Sequence, residues 1–148
     1  MGQTRSLKLK LQDPSGLAFD VDFATGHQIT VDGSEEFGGQ DIGPRPMHLL
    51  LASLGACTGM DVISILRKMR QPVERYCLEL EADQAQTHPK VFTSITIKHI
   101  VTGDVDEERL AHAIELSDTK YCPASAMLGA VAEITSEYEI LPSSRPRG

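Results

Sequence analysis

The sequence predicts an α+β protein, and three features carry that expectation. Apolar–polar alternation is grouped before residue 32 and again between residues 76 and 98; a helical pattern of about 25 residues separates the groups; shorter helical patterns precede one last strand. Strands grouped with strands, in the order βββ-α-ββ-α-α-β, point to α+β rather than a wound parallel sheet.

The elements follow in order. Leu7, Leu9 and Leu11 alternate with Lys8 and Lys10 as a first strand, and Leu17, Phe19, Val21 and Phe23 alternate with Asp20 and Asp22 as a second. Thr25-Gly26 makes a turn, and His27 to Val31 returns as a third strand, so the three form an antiparallel meander. Gly38-Gly39, Gly43 and Pro44 mark residues 34 to 45 as a loop, and Pro46 suits a first helical turn. From Pro46 to Arg70, Met47, Leu50, Leu51, Leu54, Thr58, Val62, Ile65, Leu66 and Met69 recur at spacings of three and four. Leu49, Ala52, Gly55 and Ala56 extend the apolar surface around the first half of this helix, which therefore belongs in a core. Gly55 and Gly59 each cost about 1 kcal/mol in a helix relative to Ala, so another backbone, a second helix, is expected to come close. Pro72 closes the helix. Tyr76, Leu78 and Leu80, then Ile95 and Ile97, give two more strands, with Thr102-Gly103-Asp104 as a turn. Asp106 to Ser117 is amphipathic with Leu110, Ala113 and Ile114 inward; Cys122 to Ala132 is a further helix; Ile134, Tyr138 and Ile140 form the last strand.

Length implies one domain over 1–148, with residues 1–6 and 142–148 flexible. Without tryptophan and with 5% aromatic residues, the core is aliphatic, and so small a core favours dimerisation. A net charge of −7 argues against nucleic acid and anionic membranes as partners. The basic run Arg67-Lys68-Met69-Arg70 complements a helix dipole. No run reaches about 18 consecutive apolar residues, and the N-terminus lacks a signal peptide's apolar core. Gly2 with Ser6 superficially fits a myristoylation pattern, with nothing else pointing to a membrane. The expected location is cytoplasmic, where three cysteines are thiols.

Two of these thiols draw the chemistry. Cys57 lies inside the long helix, a position that argues first for core packing. Asp61, one turn on, shares its face, and a buried carboxylate there needs a partner; unpaired, it opposes thiolate formation. Cys122, between Tyr121 and Pro123, falls at a helix N-cap, where a thiol is either reactive or a small buried cap. Cys77 alternates with Glu79 and Glu81 and reads as structural. The five histidines, His27, His48, His88, His99 and His112, show no metal-ligand spacing, so no metal is expected. His48 lies nine residues before Cys57 on the same helix, placed to meet a substrate or a second subunit, although a surface or core role is the simpler reading. There is no phosphate loop, dinucleotide fingerprint or nucleophile elbow, and no cofactor is expected.

The stretch from Gly43 to Val62 (GPRPMHLLLASLGACTGMDV) resembles the cysteine helix of the OsmC/Ohr family of osmotically induced and organic hydroperoxide resistance proteins, and is most similar to its uncharacterised OsmC-like branch. His88-Pro89-Lys90-Val91-Phe92, Ala113 to Ser117 and Tyr121 to Leu128 resemble the same branch, so the likeness runs from about the second strand to the last. The resemblance implies an intertwined homodimer, with two long central helices packed between antiparallel sheets shared by both chains. It implies that Cys57 attacks a peroxide and that Cys122 resolves the sulfenic acid as a disulfide, without metal or cofactor, an external dithiol restoring the thiols. Met47, Leu50, Leu51 and Met127 would wall a site for a small hydrophobic peroxide or another apolar ligand. The resemblance also places Met47 where characterised peroxidases carry Glu, and gives no Arg between Leu17 and Gly26 to hold the thiolate, leaving Arg45 and Arg5 as candidates. Two other functions fit the same residues: a non-catalytic protein binding an apolar molecule, and a redox sensor cycling its disulfide.

Overall fold

The computed structural model describes residues 2–146. It is α+β, with two three-stranded sheets and three α-helices, and its contacts fall into two compact units, one up to Leu51 and one from Ala52 onward.

The first unit is the expected meander. Strands β1 (Leu7–Leu11), β2 (Phe19–Phe23) and β3 (Gln28–Val31) pair antiparallel, with Leu9 opposite Val21 and Val21 opposite Ile29. A strand alternates its faces, so Leu7, Leu9, Phe19 and Ile29 share one side with Val21. Those four remain exposed in the chain. The following loop is gathered by buried Asp32, whose carboxylate accepts the backbone N–H groups of Gly33, Gln40 and Ile42 at 2.7, 2.9 and 3.3 Å.

Helix α1 (Pro46–Lys68) starts in the first unit, and its body belongs to the second. It is long and apolar enough to cross a membrane by length and composition, but it buries one stripe, Leu54, Gly55, Thr58, Gly59, Val62 and Leu66, in the protein. It is not buried all round, as its composition implied: Ala52, Ala56 and Met60 lie open, Met60 at 69%. Within the single chain, what comes close to the glycines is a strand. A Cβ at Gly55 would stand 2.9 Å from Leu80 Cδ1, and one at Gly59 would stand 3.0 Å from Leu78 Cδ1, so the close neighbours within the chain are strand leucines. The helix closes in a Schellman motif. Gln71 N–H reaches Leu66 O at 2.9 Å and Arg70 N–H reaches Arg67 O at 3.0 Å, with Arg70 at φ 57 in the place glycine usually takes.

The second sheet runs β4 (Val73–Gln84), β5 (Phe92–Gly103), β6 (Glu133–Leu141). β4 and β5 are antiparallel, with Leu78 opposite His99; β5 and β6 are parallel, with His99 opposite Tyr138. The parallel pair departs from the antiparallel sheets that the family resemblance implied, and it follows from the connection. α2 (Glu107–Leu116), a π turn (Ser117–Tyr121) and α3 (Pro123–Gly129) supply the crossover that parallel neighbours require. Val62 and Leu66 of α1, Val101 and Val105 around the end of β5, and Leu110, Ala113 and Ile114 of α2 form the aliphatic core. Beside it, His99 is wholly buried and shares a 2.6 Å hydrogen bond with the Tyr76 hydroxyl.

The terminal stretches partly fall within the described residues. Residues 2–6 are exposed and irregular, whereas both hydroxyls of Ser143 and Ser144 bond the Glu74 carboxylate, the second at 2.8 Å. Met1, Arg147 and Gly148, also expected to be flexible, lie outside the described residues.

Candidate active site

The second unit brings the two thiols together. α1 carries Cys57 on the flank of its buried stripe, half-buried. Cys122 arrives by a different route. α2 ends at Leu116, and the chain then widens into the π turn, in which Cys122 N–H donates to Ser117 O at 2.9 Å across five residues. Pro123, which has no N–H to leave unpaired, opens α3. Cys122 becomes the N-cap in extended backbone, and its Sγ accepts Ser125 N–H at 3.3 Å. Wide turns of this kind are rare and concentrate at functional sites.

Cys122 and the backbone N–H of Ala124 lie close enough to the Cys57 sulfur to act on its ionisation. Cys57 is the accessible member; Cys122 is only 4% exposed. Burial pushes the Cys57 thiol above the ordinary range, and the neighbouring Cys122 thiol pushes the same way. Ala124 N–H opposes the rise, while the charges of Cys122 and Asp61 add to it. None of these groups is a cation.

Asp61 is paired, as its position demands. Ser117 Oγ donates to Asp61 Oδ2 at 2.9 Å and lies 2.9 Å from Thr58 Oγ1. Ser117 has one hydroxyl proton, committed to the carboxylate, so Thr58 is the donor in the other bond and the chain runs Thr58 to Ser117 to Asp61. Thr58 and Ser117 are both fully buried. Neither was singled out by sequence reasoning. The available signal was Thr58 itself, a hydroxyl on an otherwise apolar stripe, because a buried hydroxyl requires a partner.

Other expected participants stand as follows. Arg45 Nη1 donates to Asp41 Oδ1 at 3.0 Å, and Arg5 lies in the exposed segment before β1. His48 and Leu50 are exposed on the first turns of α1, and Met47 and Leu51 are half-buried. Met127 on α3 is 75% exposed. Cys77 is exposed on β4 rather than packed as a structural thiol, because the strand's alternation turns Tyr76 and Leu78 inward in its place. Among the described residues, no three His, Cys, Asp or Glu side chains gather as a metal site.

The Asp61 carboxylate can be tested directly. Asp61→Asn keeps an amide oxygen for Ser117 and removes the charge that resists Cys57 ionisation. The expected result is a lower Cys57 pKa and several-fold faster alkylation by iodoacetamide at neutral pH, read on Cys57 by peptide mapping.

A thiol pair at the junction of a long helix and a π turn, in an α+β fold of this strand order, defines a class. The chain belongs to the OsmC-like protein family, whose profile matches residues 38–137. It is 39% identical to protein YhfA of Escherichia coli K12 over 127 residues, spanning 85% of this chain and 92% of that protein. Its fold matches the crystal structure of a hypothetical protein from Aquifex aeolicus VF5 with a TM-score of 0.85 at 31% identity, covering 97% of this chain and 100% of the other. An organic hydroperoxide resistance protein from Legionella pneumophila shares the fold, with a TM-score of 0.69, 93% of this chain and 97% of that one being covered; at 16% identity the likeness is one of fold.

Proposed function

We propose that this protein is a thiol-dependent peroxidase that reduces organic hydroperoxides in the cytoplasm and works as a homodimer. The observation that carries the proposal is the neighbouring pair of thiols with unequal exposure: Cys57 can be reached by a substrate, and Cys122 is buried beside it. Family membership and the fold shared with a protein named for organic hydroperoxide resistance support it. The Cys57 thiolate attacks the O–O bond, taking one oxygen as a sulfenic acid and releasing the alcohol. Cys122 then displaces that oxygen as water to give the disulfide, and an external dithiol returns two electrons. The reaction needs no metal or cofactor. Purified protein supplied with an alkyl hydroperoxide and dihydrolipoamide is expected to consume peroxide catalytically. Consumption no faster than with the dithiol alone would overturn the proposal.

The dimer rests on apolar surface left open in each unit. In the second unit a groove of about 500 Å³ lies between Ala52, Ala56, Met60 and Ile63 of α1 and Leu78 and Leu80 of β4. In the first, the Leu7, Leu9, Phe19 and Ile29 face is open. Patches of this kind mark association sites. The mass in sedimentation is expected to be twice the 16.1 kDa of the chain, falling toward that value in Met60→Lys.

One observation favours a second reading. A Cys57 thiol held above its ordinary range is little ionised at neutral pH, which suits a non-catalytic protein that binds an apolar molecule. A peroxide-inert protein that binds an apolar dye competitively would establish it.

A further inference from the structure

We propose that Ser117 is a positioning residue that sets the two thiols in register with each other, an inference that rests on the thiol-pair reading of the site. Three of the hydrogen bonds that Ser117 makes tie together the surroundings of both sulfurs. Its hydroxyl accepts from Thr58, the residue after Cys57, and donates to Asp61, one turn beyond it, each at 2.9 Å. Its carbonyl accepts the N–H of Cys122 itself at 2.9 Å. The two elements so joined are 56 and 59 residues apart in sequence along the hydroxyl bonds, so nothing local fixes their relative position. The Ser117 side chain is fully buried, as is that of Thr58.

The chemistry depends on this register. In the resolving step the Cys122 sulfur attacks the sulfenic sulfur of Cys57. The S–S bond forms as the S–O bond breaks, and the departing hydroxyl leaves as water with the Cys122 thiol proton. The oxidising equivalents came from the hydroperoxide, and an external dithiol later returns two electrons. Both the rate of closure and the stability of the disulfide scale with the effective concentration of one sulfur at the other, and a displacement of about 1 Å costs on the order of 100-fold in rate. A serine that merely stabilised the fold would act alike on dithiol and disulfide forms and leave their equilibrium unmoved. A serine that holds the thiols together shifts it.

The test is the equilibrium of the full chain with reduced and oxidised glutathione at neutral pH, without peroxide, reading the Cys57–Cys122 disulfide by alkylation and peptide mapping. Ser117→Ala is expected to lower the equilibrium constant for disulfide formation about tenfold, a rise in potential of about 30 mV. Thr58→Val, which removes one leg of the latch at nearly constant volume, is expected to move it in the same direction, and Thr58→Ser, which keeps the hydroxyl, to leave it at the native value. If Ser117→Ala does not fold, the Thr58→Val and Thr58→Ser pair decides. Constants within about twofold of native for Ser117→Ala and Thr58→Val, or an equal shift in Thr58→Ser, would overturn the inference. The two proposals fail separately. Shifted potentials without peroxide turnover remove the peroxidase and leave the latch; turnover with unmoved potentials removes the latch alone. A native chain that never forms the disulfide removes both.

Discussion

Cys57→Ser is expected to reduce dithiol-supported consumption of an alkyl hydroperoxide by a factor on the order of 10³ or more, to the rate without protein. A serine hydroxyl does not ionise at neutral pH and cannot hold a sulfenic acid, so no slower version of the same path remains. Cys122→Ser is expected to behave differently. The first step needs only Cys57, so with no dithiol present about one equivalent of peroxide is consumed per chain and the sulfenic acid accumulates, detectable with a dimedone probe. The two phenotypes separate because the site is asymmetric: Cys57 is half-open, whereas Cys122 is buried and held by the backbone of its own helix start. Peroxide loss that survives Cys57→Ser would remove the attacking role from that residue. Identical thiol titres before and after peroxide in the native protein would remove the disulfide.

The second large effect concerns stability in acid. His99 is wholly buried, and burial lowers its pKa from 6.5 to about 4. The unfolded chain therefore binds a proton between these values that the folded chain does not. Unfolding free energy rises with pH where the unfolded state holds more protons. The contribution of His99 is thus complete above about pH 6.5 and is lost as pH falls toward 4, amounting to about 3 kcal/mol. Asp118 works the other way. Burial raises its carboxyl from 3.8 against the Ser136 hydrogen bond, so its protonation in the fold adds stability as pH falls. To isolate His99, both partners of its hydrogen bond should be replaced by apolar groups of similar shape, which avoids leaving the Tyr76 hydroxyl unpaired. Tyr76→Phe/His99→Leu is expected to flatten the acid limb of the urea-derived unfolding free energy between about pH 6.5 and 4.5. A slope unchanged from native would show that His99 is not its source.

Much of the fold was legible because its signals are local. The alternation at Leu7–Leu11, the three–four spacing through α1 and the Pro72 stop each depend on neighbours within a few residues, and all three elements stand where they were expected. The thiol pair was legible through resemblance, since neither cysteine's surroundings require the other. Long-range features were not legible. Nothing in the Ile134–Ile140 pattern distinguishes parallel from antiparallel pairing; the crossover decides it. The small residues Gly55 and Gly59 announced a close approach but not its source, and Leu78 and Leu80 answer it within the chain. Ser117 looked like the last residue of an amphipathic helix, and its bonds to Thr58 and Asp61 exist only once the helices have met.

The π turn carries one more consequence. An α-helical turn from Ser117 would close after four residues, whereas this one closes after five, at Cys122. Each residue turns a helix by about 100°, so losing one would swing the sulfur well away from α1. Thr119 and Lys120 face solvent inside that span. The aim of the second thiol therefore rests on the number of residues in the turn more than on these side chains: deleting one residue between Ser117 and Cys122 is expected to separate the two thiols.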